Sequence, residues 1–158
     1  MTGSDPFNLK RFVSAQAPVF DSALAELAAG SKKGHWMWFV FPQHAELGHS
    51  FMAQFYGIGS IEEARAYLDH EVLGERLVRC TKAVLAIEDR SLHAVFGSPD
   101  DLKFRSSMTL FASAAPKGDG IFGKALDQCC AGLADEHTLS LLDTQANEAV
   151  RMVAGARH

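Results

Sequence analysis

The nine residues His35-Trp36-Met37-Trp38-Phe39-Val40-Phe41-Pro42-Gln43 constrain this chain more than any other stretch. Both of its tryptophans and two of its eleven phenylalanines fall within them. That much aromatic surface left in water would invite aggregation, so the run must be buried or must line a pocket. As a core element it is a short apolar segment with a polar end. As a cleft it supplies the aromatic walls and few polar tips that a site for a flat ligand needs. The pattern leaves both open. Residues 37–41 are aromatic and stopped by Pro42, which fits an extended segment or a buried helical turn, and periodicity does not separate the two.

The remaining periodicity is helical. Asp5-Pro6 sets a capping residue before a proline at the first helical position. Phe20, Ala23, Leu24 and Leu27 recur at helical spacing, and Gly30 stands where a C-terminal cap glycine belongs. Ser60 and Glu63 read as a capping box for a short helix to about Leu68. Leu73, Leu77, Cys80, Val84 and Ile87 share one helix face, opposite Glu75, Arg79, Lys82 and Asp89. Residues 91–96 read as a short helix stopped by Gly97. Ser98-Pro99-Asp100-Asp101 then opens a helix to about Ala114, with a cap, an N1 proline and two acids suited to the helix dipole. Pro116 and Gly118-Asp119-Gly120 form a loop, helices follow near 121–131 and 138–153, and residues 155–158 fray. No βαβ alternation, repeat or linker interrupts this order. The expectation is a single compact all-α domain over 1–158, with room for a short extended segment near 37–41.

Composition narrows the function classes. The chain has 158 residues, 47% of them apolar and 22% charged, enough for a substantial core. A net charge of −4 without a basic stripe argues against nucleic acid as a partner. Lys32-Lys33 reads as a solvated loop. No stretch approaches the roughly 20 apolar residues that span a bilayer, and no signal-peptide pattern opens the chain. Cys80, Cys129 and Cys130 are an odd count without CxxC spacing, so neither a disulfide framework nor a zinc site follows. A reduced cytoplasmic setting and no membrane partner are expected.

Two other places could carry chemistry. In the helix opened at Ser98, Phe104, Met108, Phe111 and Ala115 form an apolar stripe, while Ser106, Thr109 and Ser113 set hydroxyls on another face. Lys103 projects near Ser107. A helix of this kind suits the centre of a fold beside a polar cavity, where Lys103 or Arg105 would hold phosphate or carboxylate and the serines a sugar or oxyanion. The plainer alternative makes Asp100–Lys103 and Asp101–Arg105 surface ion pairs and leaves the serines solvated. The second place is His35, His44, His49 and His70, with Glu46 between two of them. Their spacings match no metal-ligand signature and HExxH is absent, so no metal is expected. GxGxxG, GxxxxGK[ST] and GxSxG are also missing.

Several blocks together resemble a known family. They are Asp5-Pro6-Phe7-Asn8-Leu9 with Arg11-Phe12, the run 35–43, Leu47-Gly48-His49-Ser50, and Ala53-Gln54-Phe55-Tyr56-Gly57-Ile58. Glu63 to Leu68, Leu73 to Leu77, Phe96 to Asp101 and Lys103 to Phe111 continue them. The pattern is similar to the bacterial and fungal family known as domain of unknown function 1810, over about residues 4–142. His44-Ala45-Glu46 departs from it. The resemblance implies an all-α fold and carries no established activity. At greater distance the pattern is similar to the YbiA-like NADAR group, helical proteins associated with ADP-ribose and with cleavage of N-glycosidic bonds.

That similarity implies an enzyme acting on an ADP-ribose-like or related N-glycoside metabolite, an N-glycoside hydrolase without a cofactor. Trp36 or Trp38 would stack the base, Lys103 would pair with phosphate, and Ser106 and Ser107 would bond the sugar or phosphate. Asp101 would position water or stabilise an oxocarbenium-like transition state, and His35 would act as general acid or orient Gln43. Such chemistry needs a carboxylate near developing positive charge and a stacked leaving group. Two alternatives stand beside it. A non-catalytic nucleotide- or metabolite-binding module would use the same residues without Asp101. A protein-interaction domain would present the aromatic run to a partner or to a second copy in a homodimer.

Overall fold

The computed structural model describes residues 4–116 and 120–156, which leaves the expected loop at Gly118-Asp119 and the end of the chain at 157–158 outside the described residues. The described chain folds into helices α1 (Lys10–Gln16), α2 (Phe20–Ala28), α3 (Met37–Val40), a 3-10 turn (Ala45–Leu47), α4 (Phe51–Phe55), α5 (Ile61–Asp69), α6 (Leu73–Leu85), α7 (Leu92–Phe96), α8 (Asp100–Ala114), α9 (Ile121–Cys129) and α10 (Glu136–Ala156). Among the described residues there is no strand. The only β-type pairing among them is an isolated parallel bridge between His44 and Ile58. None of these helices is long and apolar enough to cross a membrane.

Local capping chemistry sets most of these boundaries. Gly30, with φ +73°, ends α2: its N–H bonds the Leu27 carbonyl and the Ser31 N–H reaches back to Glu26. This is a Schellman motif, and a Cβ there would strain the left-handed backbone. Ser91 Oγ accepts from the Ala94 N–H to start α7, and Gly97 follows its end. Ser60 Oγ accepts from the Glu63 N–H at 3.2 Å. The capping box is only half made, because the Glu63 carboxylate accepts from Gly59 N–H and pairs with Arg11 instead. Asp5 also caps, but later than its proline implies. Its carboxylate accepts from Lys10 and Leu9 N–H, bonds that hold the acid below the usual carboxylate range, and α1 starts at Lys10.

The aromatic run resolves as helix and as core. Phe41, just past α3, packs edge-on against Phe104 at 5.1 Å and Phe96 at 6.1 Å, and Trp36 lies against Phe41 at 6.3 Å. Burying aromatic and aliphatic side chains of this size stabilises by about 1.5–3 kcal/mol each, which is why a one-turn helix persists here. α8 is the central element, packed on α5, α7, α9 and α10, with Phe104, Met108, Leu110 and Phe111 fully buried. Its hydroxyls do not open a polar cavity. Ser106, Thr109 and Ser113 donate to the carbonyls of Leu102, Arg105 and Thr109 at 3.1, 2.8 and 2.9 Å, satisfying themselves on their own helix.

Candidate functional site

One turn before α3, the chain is shaped by a carboxylate from α2. Glu26 Oε1 accepts from the N–H groups of Lys33 at 2.7 Å and Gly34 at 2.9 Å, and from Trp36 Nε1 at 3.0 Å. Burial pushes this acid up, but the three donors and the Lys32 charge outweigh it and hold the carboxyl below its usual range. Trp36 is thereby fixed in the core, 2% exposed, with its indole N–H occupied. Lys32 belongs to the same knot rather than to a solvated loop. Its ammonium donates to the Gly34 carbonyl at 2.6 Å and Asp100 Oδ2 at 2.9 Å, and lies 5.1 Å from the Trp36 ring, with the side chain 8% exposed.

The other oxygen of Asp100 turns toward the second tryptophan. Lys103 Nζ sits 3.4 Å from Asp100 Oδ1 and 5.5 Å from the Trp38 ring, and its side chain is 26% exposed. Lys103, Trp38, Gln43 and Tyr56 converge on one crevice, floored by Met37 and Phe41 and flanked by Ala53. Its volume is about 10 Å³, enough for about one water. Beside it the phenylalanines of α4 stand in solvent. Phe51 is 75% and Phe55 43% exposed, the two rings stack at 5.7 Å, and Phe55 meets Tyr56 edge-on at 4.8 Å. Ring faces, an amide, a phenol and an ammonium therefore meet at one place, which is the chemistry that a flat anionic molecule requires.

Arg11 holds the rim. Its guanidinium donates to the carbonyls of Phe55, Gly57, Phe7 and Asn8 and to Glu63 Oε2, so all five N–H groups are used. The end of α4 is pinned by a side chain that nothing in its local pattern distinguishes.

Of the residues expected at a site, Trp38, Gln43 and Lys103 come together and the others do not. Trp36 is a core residue. His35 is exposed at the approach to α3 and does not line the crevice. Asp101 Oδ2 faces His93 Nδ1 at 3.3 Å, and its Oδ1 accepts from the Leu102 N–H. The expected pairing of Asp101 with Arg105 gives way to this contact. Ser106 bonds its own helix, and Ser107 is fully buried with its Oγ unpaired. The carboxylate that reaches Lys103 is Asp100, by the three-residue spacing that also suits a surface ion pair. Tyr56, Lys32 and the exposed pair on α4 were not legible as site residues. The adjacent aromatic residues Phe55-Tyr56 are the one local signal that could have found them.

A larger groove, about 570 Å³, runs between α1 and α5 past Phe7, Val13, Ala66 and His70. Two of the polar side chains that line it, Asp5 and His70, are engaged in capping. Both Asp5 oxygens cap α1, and His70 Nδ1 accepts from the Val72 and Leu73 N–H groups at the start of α6. Among the described residues no group of three or more His, Cys, Asp or Glu could hold a metal ion. All three cysteines are free, and burial pushes the Cys80 thiol up to about 12 and Cys130 up to about 11, so both stay protonated.

Comparison with known proteins agrees with the helical fold. The model of a family described as "Protein of unknown function (DUF1810)" matches residues 6–142. Among solved structures, the chain is similar to the conserved hypothetical protein Rv1873 from Mycobacterium tuberculosis. The two share 54% identity, the match covers 88% of this chain and 99% of that one, and the TM-score is 0.86. No curated protein matches. Nothing in these comparisons joins the chain to the NADAR group.

Proposed function

This chain belongs to the DUF1810 family, and on that premise we propose that it is a binding module for a small molecule carrying a flat ring and an acidic group. The observation that carries the reading is the convergence of Trp38, Gln43, Tyr56 and Lys103, from α3, the segment after it, the end of α4 and α8, on one crevice beside exposed phenylalanines. Lys103 supplies the anion contact, Gln43 and Tyr56 the polar orientation, and Trp38 with Phe51 and Phe55 the ring faces. A nucleotide or related phosphorylated metabolite has this chemistry. Because the crevice as it stands admits only about one water, binding requires α4 to move aside. No residue of α4 is buried, so it is the wall with the least packing to lose. The free cysteines fit a reduced cytoplasmic setting.

Binding draws more support here than turnover. Cleaving an N-glycoside needs a carboxylate at the reacting carbon. Asp101 is turned to His93, and Asp100 is engaged by two lysines. The test is thermal melting and tryptophan fluorescence with ADP-ribose, NAD, nucleoside monophosphates and inorganic phosphate. A dose-dependent rise in melting temperature is expected for a ring-bearing anion, lost in Lys103→Ala and Trp38→Leu and kept in Asp101→Asn. A flat response across the panel, or a shift that survives both Lys103→Ala and Trp38→Leu, sinks the reading. Turnover of the bound compound that disappears in Asp101→Asn would restore the enzyme.

A further inference from the structure

The wall that must move is fastened from two sides, and the second fastening lies on the C-terminal helix. Segments 43–45 and 57–59 run side by side at the parallel bridge, with Ile58 N–H on the Gln43 carbonyl at 3.0 Å and Ala45 N–H on the Ile58 carbonyl at 2.9 Å. Everything between them, the 3-10 turn and α4, is one excursion that leaves and returns through this pair. The ends meet closely because residue 57 is glycine: a Cβ there would collide with Ala45. Gln43 turns its side chain into the ligand crevice. Its neighbour His44 is buried and faces the other way, into a cleft of about 340 Å³ against α10 that is lined also by Glu46, Thr144, Gln145 and Glu148.

Gln145 closes that cleft over both segments. His44 Nδ1 accepts the Glu46 N–H at 3.2 Å, which leaves the ring proton on Nε2, 3.3 Å from Gln145 Oε1. The same amide donates through Nε2 to the Gly59 carbonyl at 2.9 Å. One side chain therefore bonds each side of the neck from which the excursion hangs. We propose that α10 is a strap, with Gln145 as its buckle, that holds residues 45–57 shut over the Trp38–Lys103 crevice and opens the site when it lifts. The proposal rests on the reading of that crevice as a ligand site. It explains why a site with the right groups has so little room. Arg11 reaches the excursion from the far side by two bonds, to the Phe55 and Gly57 carbonyls, and three more to Phe7, Asn8 and Glu63 anchor its guanidinium, whereas Gln145 makes its two from a helix whose following residues, 146–151, are all exposed. The weaker fastening is the one that yields. Gln145 also lies past residue 142, where the family match ends.

Amide hydrogen exchange of the full-length chain tests the strap without a ligand. In Gln145→Ala, and independently in His44→Ala, exchange across residues 45–57 should rise about tenfold, the effect expected for losing one to two net hydrogen bonds. α6 and α8 should exchange as before, and Thr144→Ala, in the same cleft, should change nothing. With AMP as probe, Gln145→Ala should bind up to about tenfold more tightly, because less of the protein is held in the closed state. Unchanged exchange at 45–57 in both variants, with AMP binding intact, overturns the strap and leaves the ligand site standing. Faster exchange everywhere overturns it too, since Gln145 would then be a general stabiliser. Local acceleration with no AMP binding in any variant supports the strap on the loop and removes the reading of the crevice.

Discussion

Trp36 and Trp38 lie two positions apart at the start of one helical turn, each beneath a lysine ammonium, and the two lysines share the carboxylate of Asp100. The halves differ in what else is bound. On the Trp36 side the indole N–H, the Lys32 ammonium and the backbone at 33–34 all have partners, and the Trp36 ring and Lys32 side chain are almost wholly covered. On the Trp38 side the ion pair is longer, and Lys103 keeps donors that Asp100 does not use. Asp100 is neutralised chiefly by Lys32 at 2.9 Å, so the surplus positive charge of the three groups rests on Lys103, at the open end. The same pair of residue types is a structural knot where it is saturated, and where it is not it leaves an ammonium with donors to spare, which the proposed binding role uses.

The largest break in that comparison is Trp36→Ala. It leaves a cavity against Phe41 and strips Glu26 of one of its three donors, and should cost about 3–5 kcal/mol in chemical denaturation. Trp38→Ala, at a half-buried site, should cost about 1 kcal/mol. Equal losses would mean that both rings are core and that the open half has no special standing.

How much of this was legible depends on how far each signal reaches. Helix ends were written locally, at Gly30, Ser60, Ser91 and Gly97, because a cap involves residues a few positions apart. The all-α fold followed from them. The state of residues 37–41 was not legible, because an aromatic segment buried on every side satisfies either period. Trp38, Gln43 and Lys103 were found by residue type. The Asp100–Lys103 pair was legible from its three-residue spacing, but the Lys32 contact to the same carboxylate was not, because it depends on where a loop distant in sequence arrives. Arg11 and Gln145 were invisible as fasteners for the same reason: their partners at 55–63 and at 44 and 59 are remote in sequence.

The lysines give the next contrast. Lys32→Ala leaves Asp100 underpaired in a mostly buried position and should cost about 3 kcal/mol. Lys103→Ala removes the longer, more exposed pair and should cost no more than about 0.5 kcal/mol. Reversal of this order in urea melts would place the saturated partner at Lys103 and the recognition charge at Lys32.

Acid sharpens the comparison through the carboxylate on the Trp36 side. The folded Glu26 carboxyl titrates below its unfolded value near 4.5, so its stabilisation is complete above that pH and is lost as the pH falls through the folded value. Between pH 5 and pH 3 the wild type should therefore lose more stability than Glu26→Gln does. Parallel curves would show that the three hydrogen bonds on Oε1 do not depend on the charge.

The smallest effect on stability belongs to the residue with the most to say about binding. Phe51 is 75% exposed and its ring contact in the fold is Phe55, itself partly in water, so Phe51→Ser should shift stability by less than about 0.5 kcal/mol. It removes, however, the outermost ring of a series that runs through Phe55 and Tyr56 to the crevice. If a ring-bearing anion lies there, its affinity should fall several-fold, consistent with roughly 1 kcal/mol or more for a lost stacking contact. Inorganic phosphate, which has no ring to stack, should bind the variant and the wild type alike. A variant that loses phosphate as well would assign Phe51 to holding α4 in place rather than to meeting the ligand.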